Sequence, residues 1–253
     1  WTGCAATDRL EDALSCDAAI IATPADQHVE AALAFLLAGK PVLVEKPAAE
    51  TLEDVRRLVE ASERSGVPLM CGFVERFNPA VVTAATLLPE TPRHMVAERH
   101  SPPVARIQTD VVLDLLIHDV DLAIHFMAGA GIDQVRPQAE AGAPSSDAAG
   151  CHLGFAGGAT ARLSASRAHL DRVRSFVIET ASARIELDLA RPGVFVRGPG
   201  GARPTEVPVP AHEEPLACQL QHFLALIDGR ADAALERARL LESHRVAAQL
   251  VGA

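Results

Sequence analysis

Residues 18–47 read AAIIATPADQHVEAALAFLLAGKPVLVEKP, and this stretch decides the fold. The run AAIIAT at 18–23 is short and apolar and ends at Pro24, as a buried strand does. Apolar residues then recur at helical spacing up to Gly39, which is placed to end the helix. The run PVLVE at 41–45 is a second buried-strand pattern. A strand, a helix and a strand in this order predict one βαβ unit with parallel strands.

The same alternation continues downstream. Thr51, with Asp54 three residues later, resembles a capping box that opens the helix TLEDVRRLVEASERSG, and Gly66 closes that helix. The run VPLMCGF at 67–73 is a third strand pattern. We therefore predict that residues 1–74 form a doubly wound α/β domain of the Rossmann type with a parallel sheet.

Beyond the third strand the alternation ends. A helix is predicted at about 79–88, a strand around His94–His100 and a helix at 111–129, followed by period-two strand patterns between about 151 and 210. Two helical segments, PLACQLQHFLALIDG and AALERARLLESHRVAAQLVG, come last. We therefore predict an α+β domain at 75–253 with an open, mainly antiparallel sheet. Since such a sheet needs its second face covered, we expect a homo-oligomer formed through it.

Composition excludes several classes of protein. The net charge of −10 and the sequence pI near 5.4 argue against nucleic acid or an anionic membrane surface as a partner. No apolar run approaches the roughly 18 residues that span a bilayer, and the N-terminus lacks the pattern of a signal peptide. The five cysteines are scattered and form no CxxC pair, which favours reduced thiols. These features predict a cytoplasmic protein.

Lys46 is the residue most indicative of chemistry. The chain has 23 basic residues, and only Lys40 and Lys46 among them are lysines. Lys46 follows the second predicted strand, and ligands bind outside the carboxyl ends of the strands in a doubly wound sheet. Lysine can lose its proton and act as a general acid or base, whereas arginine cannot. The alternative is an ordinary loop lysine paired with Glu45.

A second candidate set lies on the predicted helix 111–129. Asp114, His118, Asp121 and His125 fall at i, i+4, i+7 and i+11, so they share one stripe of an otherwise largely apolar helix. The stripe is interpreted in three ways. It is an exposed face with local Asp–His contacts, a metal site built from two histidines and two carboxylates, or the wall of an active site. In the third case His118 carries a proton and Asp114 orients it.

Three more residues follow predicted strands. His28 lies on the first turn of the helix that starts at the ligand-binding edge, where it contacts a cofactor or is simply solvated. Arg76 and Asn78 suit the recognition of an anionic or hydroxyl-rich ligand. As residues of a loop, they could equally make local hydrogen bonds only.

The strand and EKP block at 20–47 and the later segment DLLIHDVDL resemble the Gfo/Idh/MocA family of nicotinamide-dependent oxidoreductases. The resemblance covers essentially the whole chain. The segment GFVERFNPAV at 72–81 resembles the branch that oxidises nucleotide-linked N-acetylhexosamines at the 3-hydroxyl. The resemblance implies that Lys46 handles the proton of the substrate hydroxyl and that Asp114 and His118 lie beside the reacting carbon.

The resemblance also implies a cofactor, NAD or NADP, and a small-molecule substrate, a sugar or nucleotide sugar. Hydride passes between the nicotinamide and a hydroxyl-bearing carbon of the substrate. The implied cofactor-binding residues are Thr23, Pro24, His28, Glu45 and Lys46. The implied substrate-binding residues are Arg76, Asn78 and Asp121.

The chain departs from the family pattern at its start. Family members open with a strand, a G-x-G-x-x-G turn, a helix and a second strand, about 60 residues that are missing here. We therefore expect an N-terminally truncated chain without the turn that binds the cofactor's pyrophosphate. Two alternatives stay open: a cofactor-free binding protein derived from the family, and a metal-dependent sugar isomerase or lyase that uses the 114–125 stripe.

Overall fold

The chain divides into two compact units. The computed structural model describes residues 6–103, 109–138, 147–200, 203–211 and 213–251. One unit comprises Trp1–Gly72 with Gln221–Leu241, and the other comprises Phe73–Leu220 with Glu242–Ala253. The predicted boundary after residue 74 assigns everything downstream to the second domain, whereas the structure places Gln221–Leu241 in the first unit. Amphipathic helices pack wherever an apolar surface needs cover, and the sequence pattern alone does not indicate which surface that is.

The first unit is built around a three-stranded parallel sheet. Its elements are α1 (Leu10–Ala13), β1 (Ala19–Ile21), a 3₁₀ turn (Ala25–Gln27), α2 (His28–Leu37), β2 (Val42–Val44), α3 (Leu52–Ser65) and β3 (Leu69–Cys71). The strand order is β1-β2-β3 and both pairings are parallel. Every residue of β2 and β3 is buried, as expected for a parallel sheet covered by helices. The predicted doubly wound class is confirmed.

Local sequence signals set the ends of α3. The Thr51 hydroxyl accepts a hydrogen bond from the backbone amide of Asp54 at 3.1 Å, which satisfies one free donor of the first turn. Gly66 ends the helix with φ of +68°, a left-handed conformation that glycine adopts without a Cβ clash. Both features match the sequence prediction. α3 therefore begins and ends where its own residues dictate.

The second unit is an α+β fold around an eight-stranded sheet. Its strands are β4 (His94–His100), β5 (Ile132–Gln138), β6 (Ala148–Phe155), β7 (Thr160–Ser166), β8 (Val173–Glu179), β9 (Arg184–Asp188), β10 (Gly193–Arg197) and β11 (Thr205–Val207). Its helical segments before β5 are a 3₁₀ turn (Val74–Phe77), α4 (Pro79–Leu87), a π-helical turn (Val112–Leu116) and α5 (Ile117–Phe126). The C-terminal helices of the chain are α6 (Pro215–Ile227) and α7 (Ala233–Leu250).

The strand order is β11-β10-β9-β8-β4-β7-β6-β5. All neighbours are antiparallel except β4 and β7, which run parallel. The sheet is therefore mainly antiparallel, as predicted. β5 lies at one edge and contains Pro137, and edge strands tolerate proline because one side needs no hydrogen-bond donor. This is the reason why the alternation pattern did not reveal β5.

One face of the sheet is buried under α5. Alternate residues of β4, namely Met95, Ala97 and Arg99, are buried, and α5 contacts both β4 and β7. A buried arginine in this row needs charged partners, because an isolated charge in a core is very costly. Arg99 therefore points to an ion-pair network within the second unit.

α7 is an 18-residue helix that carries five charged side chains, Glu236, Arg237, Arg239, Glu242 and Arg245. Within the described parts of the chain, no helix combines the length and the apolar character needed to span a membrane.

Candidate functional site

The carboxyl ends of β1 and β2 carry the first group of candidate residues, which we call the strand-end cluster: Thr23, Pro24, Glu45 and Lys46. The amide of Glu45 donates to the carbonyl of Ile21 at 2.9 Å, so the two strand ends lie side by side. Thr23 and Pro24 are exposed, and Glu45 and Lys46 are half-buried. The cluster thus lies at the edge where doubly wound sheets bind ligands.

His28 holds this edge together from within. Its side chain is buried, with the residue only 2% exposed. Its Nδ1 lies 2.8 Å from the carbonyl oxygen of Pro47, and its Nε2 lies 2.8 Å from that of Thr23. Both ring nitrogens are therefore engaged by the backbone segments that follow β1 and β2. This geometry favours a positioning role for His28 over the direct cofactor contact expected from the sequence.

Gly72 leaves the space that the Glu45 carboxylate occupies. The amide of Gly72 donates to the Val44 carbonyl at 2.8 Å, which brings the end of β3 beside the end of β2. A Cβ on Gly72 would lie 2.9 Å from Oε2 of Glu45, closer than real Cβ contacts. The absence of a side chain at this position therefore lets the carboxylate lie against the backbone. Downstream of Glu45, the peptide bond between Lys46 and Pro47 is cis.

Asp114 and His118 form the core of the second candidate group. Asp114 lies within the π-helical turn and His118 lies on α5, and both are half-buried. The side chain of Asp110 accepts from the amide of Val112 at 2.8 Å and caps this segment. The segment opens as a π-helical turn, a feature that often marks functional sites.

Asp114 has a cationic neighbour that sequence reasoning missed. Arg167 places Nη1 3.5 Å from Oδ2 of Asp114 and donates to the carbonyl of Thr109 at 2.8 Å. Arg167 follows β7, more than 50 residues along the chain from Asp114. No sequence spacing connects the two, because the packing of the π-helical turn on β7 brings them together. The ring of His118 packs edge-on against Phe73, with centroids 6.4 Å apart.

Arg76 and Asp121 pair with each other. Nε of Arg76 donates to Oδ2 of Asp121 at 2.7 Å, and Nη2 donates to Oδ1, so the pair is bidentate. Ser243 also donates to Oδ1 of Asp121 at 3.3 Å, and the guanidinium lies 5.3 Å from the ring centre of Phe73. The side chain of Arg76 is 5% exposed and that of Asp121 is 1% exposed. This burial favours a structural ion pair over the substrate contacts expected from the sequence.

Asn78 also acts within the protein. Its Oδ1 accepts from the amide of Ala80 at 3.0 Å and caps α4. Its Nδ2 donates to the carbonyl of Leu189 at 3.0 Å and to Oε2 of Glu75 at 3.1 Å. The Asn78 side chain therefore already makes three hydrogen bonds within the protein, and the predicted substrate contact would have to compete with them.

Arg99 is the centre of a buried network that the sequence did not indicate. It donates to both oxygens of Asp119, at 3.0 and 2.8 Å, and to Oε1 of Glu75 at 2.8 Å. Burial by itself lowers the pKa of Arg99, but the two carboxylates outweigh burial and raise that pKa above its usual value. The signal that could have found the network is Arg99 itself, a charge in the buried phase of β4.

The metal-site interpretation of the stripe was checked directly. Among the residues that the structure describes, no group of three or more His, Cys, Asp or Glu side chains is arranged to hold a metal ion.

The sequence was then compared with known families and proteins. Residues 1–73 match the model of GFO_IDH_MocA, described as an oxidoreductase family with an NAD-binding Rossmann fold. UDP-N-acetylglucosamine 3-dehydrogenase of Acidithiobacillus ferrooxidans is 28% identical over 220 residues, which are 83% of this chain and 70% of that protein. Inositol 2-dehydrogenase 2 of Saccharopolyspora erythraea is 37% identical over 122 residues, which are 45% of this chain and 36% of that protein.

Solved structures show similarity over nearly the whole chain. The A. ferrooxidans UDP-N-acetylglucosamine 3-dehydrogenase superposes with a TM-score of 0.89 at 26% identity, covering 98% of this chain and 82% of that one. A 3-ketoreductase from Actinomadura kijaniata, solved with TDP-benzene and NADP, has a TM-score of 0.76 at 21% identity. The superposition covers 94% of this chain and 79% of the ketoreductase chain. At this sequence identity the similarity concerns the fold alone.

Proposed function

We propose that the chain belongs to the Gfo/Idh/MocA oxidoreductase family and that it oxidises a hydroxyl-bearing carbon of a sugar or nucleotide sugar with NAD or NADP. The observation that carries this proposal is the strand-end cluster. Lys46, one of only two lysines in the chain, lies half-buried at the carboxyl edge of the parallel sheet. His28 and Glu45 hold the backbone around it.

The strand-end cluster fits a nicotinamide cofactor. The backbone at 22–24 is exposed, while Glu45 and Lys46 beside it are half-buried and offer one carboxylate and one amine. Thr23, Pro24, Glu45 and Lys46 would hold the cofactor there, and a bound nicotinamide would accept or supply the hydride. His28 would act through these residues, because its two ring nitrogens are occupied by backbone carbonyls.

Proton transfer is the part of the reaction that the protein itself supplies. In the oxidative direction the carbinol carbon loses its hydrogen as hydride, and the hydroxyl oxygen loses its proton to a base. We assign that proton to the amine of Lys46, and we assign His118 as a second acid–base group held beside Asp114. Arg167 lies against Asp114 and keeps the carboxylate in place. In the reductive direction the same groups return the proton.

The two lysines provide a matched experiment for the proposed role of Lys46. In the full-length protein Lys46→Ala removes the amine at the sheet edge, whereas Lys40→Ala removes the other amine, at the loop before β2. We expect Lys46→Ala to lower kcat with UDP-N-acetylglucosamine by about 10²- to 10⁴-fold, the range for loss of a general base, and to leave the affinity for NADH or NADPH largely intact. We expect Lys40→Ala to match the wild type.

The experiment requires two measurements, turnover and cofactor affinity. Turnover is followed by the absorbance of the reduced nicotinamide, and cofactor affinity by its fluorescence on binding. Equal kcat in the two lysine variants would remove Lys46 from the reaction. Tight binding of sugars without binding of either cofactor would indicate the cofactor-free binding protein instead.

Two further expectations belong to the same proposal. The eight-stranded sheet presents a second face with half-exposed valines, Val96 and Val177, directly opposite each other on β4 and β8. We propose that a second copy of the chain covers this face. The cytoplasmic location indicated by the cysteine pattern stays a prediction.

A further inference from the structure

The second unit contains a cavity of about 490 Å³ whose wall is rich in arginine. Its wall includes Arg99, Arg167, Arg172 and Arg174, together with Asp114, and we call it the arginine cavity. The chain as a whole carries a net charge of −10, so four arginines around one cavity run against the average charge of the protein. Guanidinium groups collected in this way suit an anionic ligand.

Strand order brings these arginines to one edge of the sheet. β4 and β7 run parallel and β8 runs antiparallel to β4, so the ends of β4 and β7 lie beside the start of β8. Arg99, the last but one residue of β4, lies directly opposite Arg174 on β8. Arg167 follows β7 immediately and Arg172 precedes β8 immediately. The arginine cavity is therefore a product of the tertiary fold.

Two of the four arginines form a fixed wall. Arg99 is bound by the buried carboxylates described above, and its side chain is 3% exposed. Arg167 donates to the carbonyl of Thr109 and lies within 4 Å of the carboxylates of Asp114 and Asp147. These two guanidinium groups are engaged mainly by the protein itself. They shape the cavity and contribute little free binding capacity.

The other two arginines keep donors available. Arg174 makes one side-chain hydrogen bond among the described residues, from Nη1 to Oε1 of Glu75 at 3.4 Å, and its side chain is 30% exposed. Arg172 is exposed and takes part in no ion pair within the described segments. Burial, and after it the nearby charge of Arg99, lower the pKa of Arg174. A cation that is desolvated beside another cation is stabilised by a bound anion.

A second cavity, of about 560 Å³, shares part of its wall with the first. Arg172 and Arg174 line both cavities, and Ser175, Leu187 and Asp188 line only the second. Each cavity has the size of an ordinary ligand pocket, roughly 300–1,000 Å³. Two cavities with two arginines in their shared wall match a molecule that has its negative charge in the middle.

We propose that Arg172 and Arg174 bind the diphosphate of a nucleoside diphosphate sugar. The sugar occupies the arginine cavity, toward Asp114, and the nucleoside occupies the second cavity. Planar guanidinium groups bind phosphate oxygens through paired hydrogen bonds, which explains why arginine stands at both positions. This inference rests on the proposed function and narrows it, because a neutral polyol has no group for these two arginines.

The test measures binding of UDP to the full chain by isothermal titration calorimetry. We expect Arg172→Ala and Arg174→Ala each to weaken UDP binding by about tenfold or more, as the loss of a charged hydrogen bond does. Arg136→Ala is the matched control, since Arg136 is an exposed arginine of β5 at the far edge of the same sheet. Arg172 is the primary site because its exposed side chain has no role in the core, and far-UV circular dichroism checks each fold. Inorganic pyrophosphate should compete with UDP, and uridine, which lacks the diphosphate, should bind far more weakly than UDP.

The outcomes separate this inference from the proposed function. UDP binding that is equal in Arg172→Ala and Arg136→Ala, or that inorganic pyrophosphate fails to displace, overturns the diphosphate site. Oxidation of myo-inositol by a protein with no affinity for UDP also overturns it, while the dehydrogenase function stands. Arginine-dependent UDP binding without hydride transfer to NAD or NADP from any sugar supports the anion site and overturns the proposed function.

Discussion

Replacing Asp119 by alanine should destabilise the second unit far more than breaking an equally short ion pair at the surface. Asp119 receives two hydrogen bonds from Arg99, at 3.0 and 2.8 Å, and the side chains are 1% and 3% exposed. Removing one partner of a buried pair costs about 3–5 kcal/mol, because the remaining charge keeps its desolvation cost. Glu75 still binds Arg99 at 2.8 Å in the variant, so we expect the lower end, about 3 kcal/mol.

Asp228→Ala is the control, because it breaks an ion pair of nearly the same length that is exposed rather than buried. Arg230 and Asp228 approach to 2.7 Å, but their side chains are 66% and 56% exposed. A pair in that environment contributes about 0–1 kcal/mol. Two pairs of nearly the same length should therefore differ severalfold in their effect on the free energy of unfolding. The difference isolates the effect of burial from the effect of distance.

Urea unfolding followed by far-UV circular dichroism gives the two free-energy changes. Hydrogen exchange of the β4 amides then assigns the Asp119 effect to the second unit. Replacing both partners, Arg99→Met with Asp119→Leu, should recover most of the loss, since it removes both buried charges and leaves Glu75 beside Arg174. A cost for Asp119→Ala no larger than that for Asp228→Ala would refute the buried network.

Two other predictions concern the first unit and the assembly. His28→Ala should lower the free energy of unfolding by about 2–4 kcal/mol, because it removes a buried side chain whose two ring nitrogens lie 2.8 Å from the carbonyl oxygens of Pro47 and Thr23. Thermal unfolding measures the loss, and a shift equal to that of the exposed neighbour variant Gln27→Ala would contradict the bridging role. Val177→Glu should convert the oligomer to monomers, since it places a carboxylate on the proposed interface. Light scattering reads the mass, with Val82→Glu on α4 as control; a monomeric wild type would exclude this interface.

Local signals predicted the elements that depend on neighbouring residues. The Thr51 and Gly66 caps set the limits of α3, and the strand predicted around His94–His100 is observed as β4. β5 escaped prediction because an edge strand carries proline and polar residues on both faces. The parallel pairing of β4 with β7 was also beyond reach, since strand patterns say which face is buried and not which strand lies alongside.

The candidate sites divide in the same way. Lys46 stood out from composition and from its place after a strand, and Asp114 and His118 stood out from helical spacing. Arg76 and Asn78 attracted attention for the right chemistry, but the structure gives both of them partners inside the protein. A polar residue type shows what a side chain can bind, whereas its surroundings decide what it does bind.

The sequence by itself determined three features: the parallel α/β pattern at 18–73, the position of Lys46 after a strand, and the polar residues at helical spacing in 111–129. All three arise from residues close together in the chain. Only the tertiary structure decided that Arg99 is neutralised inside the sheet while Arg172 and Arg174 keep donors free toward two cavities. Arg99 lies on β4, whereas Arg174 lies on β8 and Arg172 directly precedes β8. Their charges interact through space, over distances that strand pairing sets and sequence separation does not.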